Sequence, residues 1–209
     1  MKTKVLLLVS LLVLNTSSLL AFDNYPFSVG ASIAGKMGVN ASNVPNGIYN
    51  NLSFLKGVDL AAMVYLPMSD ESRTGMFVEI GYTNTPFGLK QRETNFTSWM
   101  NQKWLTISPI LLMSGVSVGL DFGFNAFDDV IDEDYLMFGN LPLAKDGFNV
   151  TLRAGYMYPV FTSSIGTLNF MFNATYNITG TTYRGDFTYN PATFSLGLNY
   201  LFNLSIEEY

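Results

Sequence analysis

The chain has 209 residues, a formal net charge of −5, and neither Cys nor His. That composition excludes disulfides, thiolate zinc sites, cysteine nucleophiles, His-based triads and imidazole metal or haem ligation, and it leaves an enzyme little beyond carboxylate chemistry. Charged residues make up only 13% of the chain against a usual share of about 25%, and the mild acidity lacks the basic stripe a nucleic-acid partner needs.

In chain order, Lys2 and Lys4 precede an apolar run from Val5 to Leu14. Small and polar residues follow, ending in Leu19-Leu20-Ala21. This is the layout of a secretory signal peptide, with a cut expected after Ala21: leader 1–21, then a single domain, 22–209. The apolar run is too short to cross a bilayer, and no later stretch is long and apolar enough for a spanning helix.

Eight strands follow from alternation with a period of two, since successive side chains point to opposite faces of a pleat. The first is Tyr25 to Lys36, with Val29, Ala31 and Ile33 against Gly30, Ser32 and Ala34. The second, Lys56 to Met68, sets Val58, Leu60 and Val64 against Asp59, Ala61 and Met63. The third, Gly75 to Tyr82, sets Met76, Val78 and Ile80 against Phe77, Glu79 and Gly81. The fourth, Lys103 to Leu112, has no clear face, because Pro109 interrupts it and Leu111, Leu112 and Met113 are adjacent. The fifth, Gly115 to Phe124, is the clearest: Val116, Val118, Leu120, Phe122 and Phe124 against Ser117, Gly119, Asp121 and Gly123. The sixth is Gly147 to Tyr158, with Arg153 on its polar face; the seventh is Leu168 to Thr179; the eighth is Ala192 to Leu204. Segments 37–55, 83–102, 126–146 and 180–191 read as long polar loops, and the connections between them are short.

A soluble sheet usually offers charged residues to water on its second face. Here that face is small and polar. Large apolar outside and small polar inside, an even strand number, and alternating long and short connections predict an all-β, eight-stranded antiparallel up-and-down transmembrane β-barrel. A closed sheet satisfies backbone groups that lipid cannot. Eight strands give a lumen that side chains fill. Asp59, Glu79, Asp121 and Arg153 point into that lumen, with Lys36 and Lys56 near strand ends, and Arg153 is expected to pair with one or more of the carboxylates as a structural plug. Aromatics near strand ends, among them Tyr25, Phe27, Tyr82, Trp104, Phe124, Tyr158, Tyr200 and Phe202, read as interfacial girdles. Asp128, Asp129, Asp132, Glu133 and Asp134 crowd one loop. Clustered carboxylates can hold calcium, but the spacing lacks the glycine and distal glutamate of an EF-hand, so a solvated acidic loop is the plainer reading. No catalytic, cofactor or metal site is expected.

The signal-peptide layout, the glycine-spaced inward faces of Gly115 to Phe124 and Gly147 to Tyr158, and the last strand together make the chain resemble the small outer-membrane β-barrel families, including OmpA/OmpX-type barrels and the outer membrane protein β-barrel domain group. The resemblance implies that Phe194, Leu196, Leu198, Tyr200 and Phe202 form a C-terminal signal read by the barrel-assembly machinery, although the chain continues to Tyr209. It implies a protein of the cell outer membrane, with lipid and that machinery as partners. Its function would be non-enzymatic: structural, or surface binding of an extracellular ligand through four long loops. The alternatives are a narrow solute or ion pore, a lipid-modifying outer-membrane enzyme (whose known versions often use a Ser–His arrangement that this chain cannot form), and a soluble lipocalin-like carrier.

Overall fold

The computed structural model describes the backbone of residues 25–44, 46–68, 74–95, 97–131, 147–183 and 187–204, and their side chains except at 54–56, 98, 126–131 and 181–187. The expected leader, 1–21, lies outside these residues, as do Asp132, Glu133 and Asp134.

Eleven strands are present among the described residues: β1 (Ser28–Asn40), β2 (Ile48–Asn51), β3 (Ser53–Pro67), β4 (Thr74–Gln91), β5 (Thr97–Met113), β6 (Val116–Ile131), β7 (Phe148–Thr162), β8 (Gly166–Asn177), β9 (Thr181–Tyr183), β10 (Phe187–Tyr189) and β11 (Pro191–Asn203). Eight of them, β1, β3 to β8 and β11, form a ring in which each pairs antiparallel with the next. The ring closes where β1 meets β11, from Ser28 opposite Asn203 to Asn40 opposite Pro191. Both ends of the ring therefore lie at one rim, together with the short turns.

The tightest of those turns is Ser114-Gly115, between β5 and β6. Both residues have positive φ, 50° and 93°. Two left-handed residues define the hairpin turn whose twist matches that of paired strands. On β5 the sequence leaves the facing open, and the ring resolves it. Trp104, Ile110 and Leu112 point inward and are buried; Leu105, Ile107, Leu111 and Met113 point outward. The β5–β6 pairs run from Ile107–Phe122 directly to Ile110–Gly119, skipping Ser108 and Pro109 while the register holds. Proline has no N–H to give, so the ladder lapses there without the strand ending.

The larger correction concerns residues 83–102, expected to be a long loop. β4 continues to Gln91 and β5 begins at Thr97, so the connection is five residues long and most of the segment is paired strand. Apolar side chains recur at Phe87 and Leu89 on β4, and Met100 on β5 meets them. This is strand periodicity carried by an Asn-, Thr- and Gly-rich background. β2 pairs with the outer part of β4, from Ile48–Gln91 to Asn51–Gly88. β4 leaves β3 after Asp59–Thr83 and leans over the top of β3 towards β1 and β11. β6 likewise runs on to Ile131, so Asp128 and Asp129 belong to a strand paired with Gln102 and Asn101 rather than to a loop. Segment 180–191 carries the β9–β10 hairpin. Side chains fasten these additions to the ring: Asn40 donates to Asn50 (2.9 Å) and accepts from the Asn190 amide (3.1 Å), and the Ala41 amide donates to the Asn190 carbonyl (3.0 Å).

The interior is layered. At the short-turn end Met63, Tyr65, Phe77, Ile110, Leu112 and Leu201 pack into an apolar cluster with Tyr25, Met157 and Met171. At the far end Phe87, Leu89, Met100 and Tyr189 form a second cluster, with Val44 and Ile48 against it. Two residues expected in interfacial girdles belong inside: Trp104 is 1% exposed, and Tyr25 packs edge-on against Tyr65, ring centroids 5.4 Å apart.

A side chain at Gly115 has to adopt a left-handed backbone, at roughly 1–2 kcal/mol, and its Cβ would also come within 3.0 Å of the Tyr156 ring. Gly115→Val is expected to lower the unfolding free energy of the refolded protein, measured in urea, by about that amount, and Ser114→Asn, better suited to positive φ, to raise it slightly.

Candidate functional site: the luminal charge layer

Between the two apolar clusters lies a layer of charge. Strand alternation places Lys36 (β1), Asp59 (β3), Glu79 and Thr83 (β4), Asp121 (β6) and Arg153 (β7) on inward faces. Glu79 and Arg153 are three strands apart in the ring, yet Arg153 Nη1 donates to Glu79 Oε2 at 2.6 Å. The same guanidinium reaches Asp121, with Nη2 3.0 Å from Oδ1 and Nε donating to Oδ2 at 3.3 Å. One arginine therefore ties β7 to β6 at its side and to β4 across the lumen. Gly119 is its partner on β6.

A second cluster sits on β1, β3 and β4. Lys36 Nζ lies 2.7 Å from Asp59 Oδ1 and donates to Thr83 Oγ1 at 2.6 Å, and the Thr83 hydroxyl donates to Asp59. Asp59 and Thr83 are the last pair of the β3–β4 ladder, so this cluster closes the point where the strands part. Lys36 and Glu79 are 5% and 7% exposed as whole residues, which takes both charges largely out of bulk water. Charges so placed are tolerable only when paired, because desolvation costs several kcal/mol per ion.

A hydrogen-bonded chain runs through the interior nearer the short-turn rim. Tyr25 donates to Asn169 (2.7 Å), Asn169 to Asn199 (2.8 Å) and Asn199 to the Met157 sulfur (2.9 Å). It joins the segment before β1 to β8, β11 and β7, on either side of the closing seam. At the opposite end, burial holds the Tyr189 phenol above its usual pKa range.

The structure thus brings Asp59, Glu79, Asp121 and Arg153 into one interior layer and adds Lys36 and Thr83. Lys36 was visible in the sequence only as a cation near a strand end. Thr83 lies in the segment that reads as loop, and nothing in the pattern marks it. The side chain of Lys56 is outside the described set, as are those of Asp128 and Asp129, so the acidic cluster has no described geometry. Phe194, Leu196, Leu198, Tyr200 and Phe202 share the outward face of β11.

No protein-family model matches the chain, and no curated protein matches it by sequence. Among solved structures it is similar to the solid-state NMR structure of outer membrane protein AlkL in DMPC lipid bilayers, at 13% identity over 89% of this chain and 95% of that one, with a TM-score of 0.46. It is also similar to a structure from the de novo design of transmembrane β-barrels, at 13% identity over 86% of this chain and 99% of that one, with a TM-score of 0.38.

Removing the guanidinium leaves Glu79 and Asp121 buried without a cation. Arg153→Ala is expected to cost about 3–5 kcal/mol, measured as the drop in unfolding free energy in detergent. Replacing Glu79, Asp121 and Arg153 together with Met is expected to recover most of that loss.

Proposed function

We propose that the chain is an eight-stranded transmembrane β-barrel of an outer membrane, non-enzymatic and non-conducting, that serves as a structural or surface-binding protein. One observation carries the reading. Among the described residues, no outward position of the ring from Val58 to Leu66, Met76 to Tyr82, Leu105 to Met113, Val116 to Phe124, Phe148 to Val160 or Phe194 to Phe202 is charged. Ile80 is 63% exposed, Ile33 56% and Leu196 50%, on three different strands. The apolar surface goes round the ring as a continuous belt, whereas soluble monomers rarely expose contiguous patches beyond a few hundred Å². The outward faces reach nine residues on β11, Phe194 to Phe202, and eleven on β8 and its end, Leu168 to Ile178. About 9–11 tilted residues are what a strand needs to cross a bilayer. An outward aromatic pair lies across strands at the long-loop end, Phe124 with Phe148 at 5.4 Å, where girdle rings belong.

The layered lumen argues against a pore, because an ion would have to pass two apolar clusters and a paired charge layer. The lumen also argues against a carrier, whose interior would have to be empty and apolar. The absence of His leaves the luminal carboxylates as the acid–base groups, and Arg153 and Lys36 engage all three. What remains for contact with the outside is the outer rim: the β4–β5 hairpin, β2 and the β9–β10 hairpin.

On an SDS gel the detergent-refolded protein is expected to run as a compact form that shifts on boiling, and to give no single-channel conductance in planar bilayers. A freely soluble monomer without detergent would defeat the membrane reading; steady conductance would defeat the sealed lumen. Leu198→Arg, near mid-belt, is expected to destabilise the folded form by about 2–4 kcal/mol.

A further inference from the structure

The short-turn rim of the ring is uneven. β6 and β7 pair no further than Val116 opposite Tyr156, where β6 begins. β7 then runs on through Met157 to Thr162 before the chain turns into β8. At about 3.3 Å per residue and a tilt of roughly 45°, the β7–β8 turn stands on the order of 10 Å beyond Ser114-Gly115. A turn carried so far from the body of a protein is ordinarily polar, because connecting segments run through water.

This turn is apolar. The β7–β8 ladder passes from Pro159–Asn169 to Phe161–Leu168, which leaves Val160 as an extra residue on β7. Proline has no N–H to give, and a bulge beside it breaks the alternation of faces. Val160 and Phe161 are adjacent in sequence, yet both point outward, 59% and 60% exposed. Ile165, at the tip of the turn, is 67% exposed. Phe202 and Leu204 stand bare on the adjoining end of β11. No residue from Pro159 to Leu168 or from Leu196 to Leu204 is charged. The patch continues the outward column that runs down β7 from Phe148 to Tyr158.

The backbone of the turn is largely satisfied from within the protein. The Ser163 amide donates to the Gly166 carbonyl (2.9 Å), and the Gly166 amide donates to Ser163 Oγ (3.3 Å). The Ile165 carbonyl accepts from the Asn203 amide (2.9 Å), and the Ser164 carbonyl accepts from Asn203 Nδ2 (3.3 Å). These are groups that a turn in water leaves to solvent, and an apolar medium requires them to be paired.

We propose that the β7–β8 turn and the adjoining end of β11 are immersed in the acyl layer of the membrane. The inference rests on the membrane-barrel reading and adds where the lipid boundary runs. Lipid reaches Ile165 on the β7–β8–β11 side but stops at Met113 and Val116 on the β5–β6 side, where Ser114-Gly115 meets water. Acyl chains are the occupant, and not a protein, because the patch is one with the belt and offers none of the polar rim that protein contacts carry. The ring is thereby seated with unequal lipid depth on its two sides.

The chain has no Cys, so Ile165→Cys and Ser114→Cys each create a single thiol at an exposed position. Each variant of the mature chain is labelled with a small thiol-reactive fluorophore and refolded into phosphatidylcholine vesicles. Quenching is then measured by phosphatidylcholine brominated in its acyl chains and, separately, by iodide present on both sides of the membrane. The label at 165 is expected to be quenched strongly by the brominated lipid and several-fold less by iodide than the label at 114, which should show the reverse. Equal access of iodide to both labels would put the turn in water and overturn the proposal. Protection of 165 from both quenchers would mean that a protein surface, such as a second copy of the chain, covers it, and would overturn it equally. Equal quenching of both labels by brominated lipid would overturn the uneven boundary. A labelled chain that shows no heat-shifted compact band and meets no brominated lipid at either position would defeat the membrane barrel itself, and the proposal with it.

Discussion

The pairing of β1 with β11 along all thirteen residues of β1 is the interaction on which the rest depends. A sheet of alternating strands could lie open, with two rows of unpaired backbone groups. Closure removes both edges at once. In the membrane setting proposed for this ring, closure is what lets the outer face be apolar, because lipid offers no partner to an exposed N–H or carbonyl and each one left bare there costs several kcal/mol. The segments flanking the seam reflect this. Tyr25, Asn169, Asn199 and Met157 form a hydrogen-bonded chain across the interior close to where the ends meet, and the Leu204 amide donates to the Phe27 carbonyl at 2.9 Å.

Closure with eight strands also fixes how wide the interior can be, and that width dictates its chemistry. Side chains from opposite walls meet. A charge on one strand must find its counterion on another, and the residue that spans the lumen is an arginine. Its planar fork serves two carboxylates at once, which a lysine ammonium on a flexible stem does not do as well. Lys36 instead holds Asp59 and Thr83 on the neighbouring β3 and on β4, where the ladder ends. The apolar clusters above and below thin the water around both sets and so strengthen every pair in the layer.

The sequence is informative wherever an apolar outer face opposes a small, polar inner one. Alternation from Val116 to Phe124 or from Phe194 to Phe202 identifies strand and outward face together, because the two environments differ most there. It was uninformative wherever both faces are buried. Asn84, Pro86, Phe87, Gly88 and Leu89 are all buried, so no solvent- or lipid-type contrast between faces marks that part of β4; only the short Phe87–Leu89 alternation does, in a composition that resembles a loop. β5 was ambiguous for a related reason. Near the short-turn rim the lumen itself is apolar, so Ile110 and Leu112 inside look like Leu111 and Met113 outside. Trp104 and Tyr25 fall near the ends of the strands expected from the sequence, as girdle residues do, but β5 begins at Thr97 and puts Trp104 in mid-strand, and position along a strand cannot say on which side of the wall a ring sits. The luminal carboxylates and Arg153 were readable from face alone; their partners Lys36 and Thr83 depended on how far strands continue past the belt.

The hairpin that the composition concealed also bears on what the outer rim can do. Its path across the top of β3 is set by two positions without side chains. A Cβ at Gly38 on β1 would collide with the Pro86 carbonyl, and one at Gly57 on β3 would meet the Pro86 ring at 2.9 Å. With Phe87 packed on Tyr189 at 5.7 Å, and Arg92 over the Tyr49 ring at 5.8 Å, the hairpin is held from both sides. Recognition elements on paired strands are positioned more accurately than those on free loops. A binding role at this rim would therefore rest on the fixed outer surface of β2, β4 and β5, where adaptability is low and shape is set before any ligand arrives.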